Sequence, residues 1–136
     1  MSLIVVFDTN IFLSALLSPQ GNPAKCLRLA NQGRIHSITC QEIIDEFNQK
    51  LTIKLKYSVE DSKKIINHFL NYSKLVEITN TLRVVVNDPD DNKIIECVVV
   101  GQVTHIITED KKHLLPLKNY QSISIISATD FIRLFP

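Results

Sequence analysis

The chain has 136 residues, 45% of them hydrophobic and 21% charged, with fifteen Lys and Arg against fourteen Asp and Glu for a formal net charge of +1. That length suits one domain over residues 1–136, able to bury about two thirds of its unfolded surface without disulfides, and the composition excludes disorder and collagen. The balance of charge excludes the global positive field of a DNA-coating protein, so any contact with nucleic acid must come from a local patch or a bound cation.

Residues 3–7 form an apolar run, β-branched at Ile4, Val5 and Val6, that ends abruptly in Asp8-Thr9-Asn10, the pattern of a buried strand whose carboxyl end opens onto polar groups. Apolar residues continue to Leu17, but no basic residue precedes the stretch, a charge sits in its middle, and no run of about 20 apolar residues exists in the chain. A soluble, cytoplasmic protein with no membrane segment is expected. Residues 11–17 read as a short helix stopped by Ser18-Pro19-Gln20-Gly21. A second helix starts at Asn22-Pro23, with Asn as N-cap and Pro at the first helical position. Residues 35–39 form a strand after the Gly33 stop.

Over residues 41–51, Ile43, Ile44, Phe47 and Leu51 keep helical spacing and put Glu42 and Glu46 on one face, a turn apart. Ser58 and Asp61 make a capping-box pattern that opens a helix to about Tyr72, with Ile65, Ile66, Phe69 and Leu70 inward. Residues 75–78 and 83–86 are strand candidates. Asn87-Asp88-Pro89-Asp90-Asp91-Asn92 is a turn leading into a helix over 90–100 that Gly101 ends. Residues 105–108 form a strand running into Glu109-Asp110, residues 123–126 form a last strand, and Ser127 with Asp130 caps a terminal helix reaching Leu134. Strands alternate with helices, which predicts a parallel sheet covered on both faces.

Carboxylates gather where apolar runs end: Asp8 after the first strand, Asp88 to Asp91 before a helix, and Asp110 after a later strand, with Glu42 or Glu46 able to join. Ligands of open parallel sheets bind beyond the carboxyl ends of the strands. Carboxylates converging on one pocket repel by about 4 kcal/mol per pair at about 4 Å and an effective dielectric near 20, so a hard divalent cation is the natural counter-charge. Mg2+ or Mn2+ with oxygen ligands points to phosphoester chemistry. Each acid also has a plainer reading: Asp8 and Asp88 to Asp91 as helix caps, Glu42 and Glu46 as solvated helix residues. The repeated placement of acids at strand ends favours the site. Cys26, Cys40 and Cys97 show neither CxxC spacing nor histidines placed to complete a zinc site, and read as core residues in a reducing compartment. His36, His68, His105 and His113 are scattered.

At these residues the chain resembles the PIN-domain nucleases, and more closely the short single-domain PIN proteins related to VapC-type toxins. The resemblance rests on four blocks in order: Val5-Val6-Phe7-Asp8-Thr9-Asn10, Cys40-Gln41-Glu42-Ile43-Ile44-Asp45-Glu46-Phe47, Asp88-Pro89-Asp90-Asp91-Asn92-Lys93-Ile94-Ile95-Glu96-Cys97, and Thr108-Glu109-Asp110 followed by Leu114-Leu115. It implies a three-layer α/β/α sandwich around a parallel sheet of four or five strands, and an acidic quartet of Asp8, Glu46, Asp91 and Asp110. Asp88 is implied as an accessory acid, and Thr9, Asn10 and Thr108 as polar positioning residues. The choice of Glu46 over Glu42 rests on the resemblance alone. Cys40 stands where the family commonly has serine, which removes a helix cap, and Glu109 where a small residue is common, which adds a charge beside Asp110.

The resemblance further implies endonucleolytic cleavage of RNA with Mg2+ or Mn2+ held by Asp8, Asp91 and Asp110, and Glu46 binding a second metal or orienting water. It also implies a homodimer and a small antitoxin partner covering the acidic pocket. Among the lysines, Lys111 and Lys112 directly follow an active-site acid and are the RNA-contact candidates. Lys50, Lys54, Lys56, Lys63 and Lys64 fit a solvated helix face at least as well. Three rivals remain. A haloacid-dehalogenase-like phosphatase wants a second aspartate where Asn10 stands, and a response-regulator receiver wants an acid where a middle strand ends at Thr39-Cys40. A non-catalytic PIN module binding RNA or a protein would have little reason to keep all four acids.

Overall fold

The computed structural model describes residues 3–78, 89–112 and 114–134, and for residues 89–93 the backbone alone. In chain order the elements are β1 (Ile4–Phe7), α1 (Thr9–Leu17), α2 (Asn22–Asn31), β2 (His36–Cys40), α3 (Gln41–Gln49) and a π-helical turn (Lys50–Lys54). Next come α4 (Val59–Leu70), β3 (Ser73–Val76), α5 (Pro89–Gly101), β4 (His105–Ile107), a 3-10 turn (Leu115–Leu117), β5 (Asn119–Tyr120), β6 (Ile123–Ile126) and α6 (Ala128–Ile132). The candidate strand at 83–86 and Asp88 lie outside the described residues.

The strands form one sheet in the order β3-β2-β1-β4-β6-β5. Neighbours are parallel throughout except β5, which runs antiparallel to β6. In β1, Val5, Val6 and Phe7 are all buried. Successive strand residues point to opposite faces, so this run requires cover on both, and the α/β architecture expected from the alternating elements is the one observed. Because β1 lies between β2 and β4, the chain leaves it in one direction and returns on the other side. The crevice beyond the carboxyl ends of β1 and β4 is therefore a topological switch point.

An aromatic cluster ties the helices near that crevice together. The Phe12 ring of α1 stacks on Phe47 of α3 with centroids 4.7 Å apart and meets Phe69 of α4 edge-on at 4.3 Å. Offset-stacked and edge-to-face pairs of this kind add about 0.5–1.5 kcal/mol beyond the area they bury. On the sheet, α5 ends in close approach to β2: a Cβ on Gly101 would stand 2.8 Å from Cγ2 of Ile38. Gly33, at φ +76°, supplies the left-handed residue that ends α2 and turns the chain into β2.

Several boundaries differ from expectation for identifiable reasons. Helix α1 starts at Thr9 and not at Ile11, directly after Asp8. Gly21 and not Asn22 occupies the N-cap of α2, which frees the Asn22 amide to donate to Thr129 Oγ1 at 3.0 Å. Helix α3 stops at Gln49 and the backbone widens, with the Leu55 amide bonded to the Lys50 carbonyl five residues back. Strand β5 was not expected: it is two residues long, and its hairpin uses Gln121 and Ser122 at positive φ where Asn-Gly would have signalled the turn. The caps of α4 and α6 are as predicted, with Ser58 accepting from the Asp61 amide and Ser127 from the Asp130 amide. Among the described residues, no helix is long and apolar enough to cross a membrane.

Candidate active site

Asp8 directly follows β1, where the apolar run gives way and the Asp8 amide still bonds to the Ile107 carbonyl of β4 at 3.0 Å. It stands at the N-cap position of α1, yet its side chain makes no capping hydrogen bond. Its carboxylate instead accepts from Thr108 Oγ1 at 2.7 Å, a contact between groups 100 residues apart that exists because β1 and β4 are parallel neighbours. Only 6% of Asp8 is exposed. Burial pushes its carboxyl above the ordinary carboxylate range. The Thr108 hydrogen bond opposes this, the Glu46 carboxylate raises it further, and the Lys50 ammonium again opposes.

Glu46 reaches this end of the sheet from α3. Its Oε2 accepts from Thr9 Oγ1 at 3.0 Å and its Oε1 pairs with Lys50 Nζ at 3.3 Å. The Phe12–Phe47 stack explains the meeting, because each ring is close in sequence to one partner of the Thr9–Glu46 bond. Glu42, a turn earlier, bears on Cys40 and Cys97 instead: its charge adds to the upward push on the Cys97 thiol and only partly opposes the net lowering at Cys40. Asn10 is exposed, and its Oδ1 accepts from Lys50 Nζ at 3.2 Å.

Thr108 links the second half of the site. Its Oγ1 donates to Asp8 and accepts from the Asp110 amide at 3.0 Å, so one hydroxyl orders both segments. Asp110 Oδ1 accepts from the Lys112 amide at 3.0 Å. Lys111 and Lys112 are exposed beside it. Glu109 carries its charge to α6, where its Oε1 accepts from the Ala128 amide at 3.0 Å. Cys40, at the N-cap of α3, makes no capping bond there. Its thiol is held down in pKa by a hydrogen bond from Cys97, and the Cys97 thiol is pushed up by the same contact and by burial.

Of the residues singled out from sequence, the fold therefore brings together Asp8, Thr9, Asn10, Glu46 and Thr108, with Asp110 bonded to Thr108. The backbone of Asp91 lies in the first turn of α5, its side chain is outside the described residues, and Asp88 lies outside them altogether. Among the described residues no three His, Cys, Asp or Glu side chains are grouped closely enough to hold a metal ion. The donor chemistry nonetheless suits a hard divalent cation: a desolvated carboxylate at Asp8, a second one facing it at Glu46, and neither thiol nor imidazole in the hydrogen-bonded set. Sequence reasoning passed over two residues. Lys50 reads as a solvated helix residue by composition, yet it lies four residues after Glu46, the spacing that brings helical side chains together. Glu96, on α5, is 6% exposed, a buried carboxylate that the apolar residues around it could have flagged.

Residues 4–112 match the sequence profile of the PIN domain family. The chain is 36% identical over 110 residues to the uncharacterized protein MJ1680 of Methanocaldococcus jannaschii, a match covering 79% of this chain and 70% of that protein. Its fold resembles a chain in the crystal structure of VapBC2 from Rickettsia felis bound to a DNA fragment from their promoter. That match has a TM-score of 0.67 at 13% identity, over 92% of this chain and 98% of the other. The acids at the ends of β1 and β4, the mostly parallel sheet and the profile match over 4–112 agree, and this chain belongs to the PIN domain family.

Proposed function

We propose that this protein, as one PIN domain over residues 1–136, is a divalent-metal-dependent endoribonuclease that hydrolyses RNA phosphodiester bonds in the cytoplasm as the toxin of a toxin–antitoxin pair. The observation that carries the reading is Asp8: a carboxylate nine-tenths withdrawn from water at a sheet switch point, oriented by Thr108 and faced by Glu46. A buried carboxylate faced by a second, half-buried one is costly unless a cation or a proton relieves it, and such arrangements concentrate at functional sites.

In this reading Asp8, Asp91 and Asp110 hold Mg2+ or Mn2+, and Glu46 serves a second metal or orients water. The bound metal would supply a water of lowered pKa and offset charge on the departing oxygen. The chain's own residues do the rest. Thr108 fixes the direction of the Asp8 carboxylate and ties the Asp110 backbone to it, Thr9 fixes Glu46, and Asn10 anchors Lys50. Lys111 and Lys112 extend from the Asp110 turn to meet backbone phosphates. The toxin role is supported by the fold shared with a chain of VapBC2, a homodimer and a small antitoxin covering the acidic pocket being part of the same proposal.

The test compares wild type with Asp8→Asn and Asp91→Asn on structured RNA, with Mn2+ or Mg2+ and with chelator. Loss of cleavage by about a hundredfold or more is expected in both variants and on chelation. Cleavage that survives either change would overturn the mechanism, and no cleavage by wild type would favour a non-catalytic binding module. For the toxin role, overproduction should arrest growth, with relief by a small protein encoded beside the gene.

A further inference from the structure

Among the described residues, Lys50 is the cation placed against the acid pair. Its ammonium pairs with Glu46 Oε1 at 3.3 Å, donates to Asn10 Oδ1 at 3.2 Å, and bears on the Asp8 carboxylate. An ordinary helical Glu-Lys pair four residues apart is exposed and contributes little. This one differs: the Lys50 and Glu46 side chains are only 26% and 21% exposed, and Lys50 joins α3 to α1. It sits where α3 gives way to the π-helical turn, a backbone irregularity that recurs at functional sites. Beside it lies an open groove of about 380 Å³ lined by Glu46, Gln49, Lys50, Ile53 and Lys54, which leaves room for the long side chain to swing away.

We propose that Lys50 is a positioning residue that acts as the built-in counter-cation of the site, holding Glu46 and Asn10 in place while no metal is bound and leaving the carboxylates when a divalent cation arrives. The exchange rests on the metal-dependent reading above. Two cations cannot both stand against the Asp8 and Glu46 carboxylates without repelling one another, so metal entry and the Lys50 contact oppose each other. The ammonium keeps the acids oriented before metal binds and weakens metal affinity by the same interaction.

The experiment measures Mn2+ binding without RNA, by electron paramagnetic resonance of free Mn2+ and by thermal melting, on wild type, Lys50→Gln, Lys50→Arg and Lys54→Gln. Lys50→Gln should melt lower than wild type in chelator, yet bind Mn2+ about two- to fivefold more tightly, the change that deleting an ion pair of this kind produces. Lys50→Arg should return Mn2+ affinity towards wild type, and Lys54→Gln, which removes the same charge a turn away, should change it less than Lys50→Gln. Equal or weaker Mn2+ binding by Lys50→Gln, with wild type binding normally, would overturn the exchange and leave the nuclease reading standing. A wild type that takes up no Mn2+ would overturn both.

Discussion

Asp8 carries the physical tension of the site. Its folded-state pKa is raised above the ordinary 3.8 by burial first and by Glu46 after, against the pull of Thr108 and Lys50. Between the unfolded and the raised value the folded protein holds a proton that the unfolded chain lacks. This group's contribution is therefore fully present below the unfolded pKa and is lost as pH rises through the folded one. Two results are expected from urea unfolding in chelator between about pH 4 and 7. Wild type should lose stability relative to Asp8→Asn as pH rises, and the variant, whose amide keeps an acceptor for Thr108 but no charge, should be the more stable protein at neutral pH. A variant no more stable than wild type there would mean that the carboxylate is not strained by its surroundings. At this scale the sequence was informative about residue types and poor about neighbours. Asp8, Thr108 and Asp110 were legible as polar residues at the ends of apolar runs, whereas Lys50 was not, because its second partner, Asn10, lies 40 residues away and only packing brings them together.

Elements were legible where a local signal decided them. Both helices with a serine cap, α4 and α6, begin where the Ser58 and Ser127 patterns place them. The π-helical turn at Lys50–Lys54 and strand β5 were not legible, since a change from four- to five-residue backbone bonding and a two-residue edge strand leave no periodicity to read. The approach of α5 to β2 is likewise a matter of shape. Gly101 looked like a helix terminator, but a Cβ there would stand 2.8 Å from Ile38 Cγ2, so its small size also sets how closely the helix lies on the sheet. Gly101→Ala should destabilise by about 1–3 kcal/mol through overpacking, read as a lowered urea midpoint with an unchanged m-value. A midpoint equal to wild type would show that α5 shifts freely. Because α5 begins beside Asp91, such a shift would also be expected to move that end of the helix.

At the scale of the whole molecule, fifteen basic residues nearly cancel fourteen acidic ones, and part of the acidic charge is concentrated where β1 and β4 end. If the protein is the metal-dependent ribonuclease proposed above, its near-neutral charge and local carboxylates mean that it should bind RNA chiefly through metal bridging, aided by Lys111 and Lys112. Measured in Mn2+ or a non-catalytic divalent ion, the logarithm of RNA affinity should fall with the logarithm of salt at a slope of only about −1 to −3, and affinity should drop sharply on chelation. A steeper slope together with indifference to chelator would instead require a broad basic surface.

The order of strands and helices, the buried character of β1 and the delivery of acids to strand ends were determined by the sequence alone, because hydrophobic periodicity and capping act over a few residues and leave a local record. The tertiary structure decided which charged groups meet. Glu42 and Glu46 are indistinguishable by helical spacing, yet Glu46 bonds to Thr9 and bears on Asp8 while Glu42 bears on Cys40 and Cys97. That choice follows from the seating of Phe47 against Phe12, which sets the rotation of α3 against α1. Contacts between residues tens of positions apart depend on how helices pack, and packing is a property of the assembled core, with no signature in any single segment of the chain.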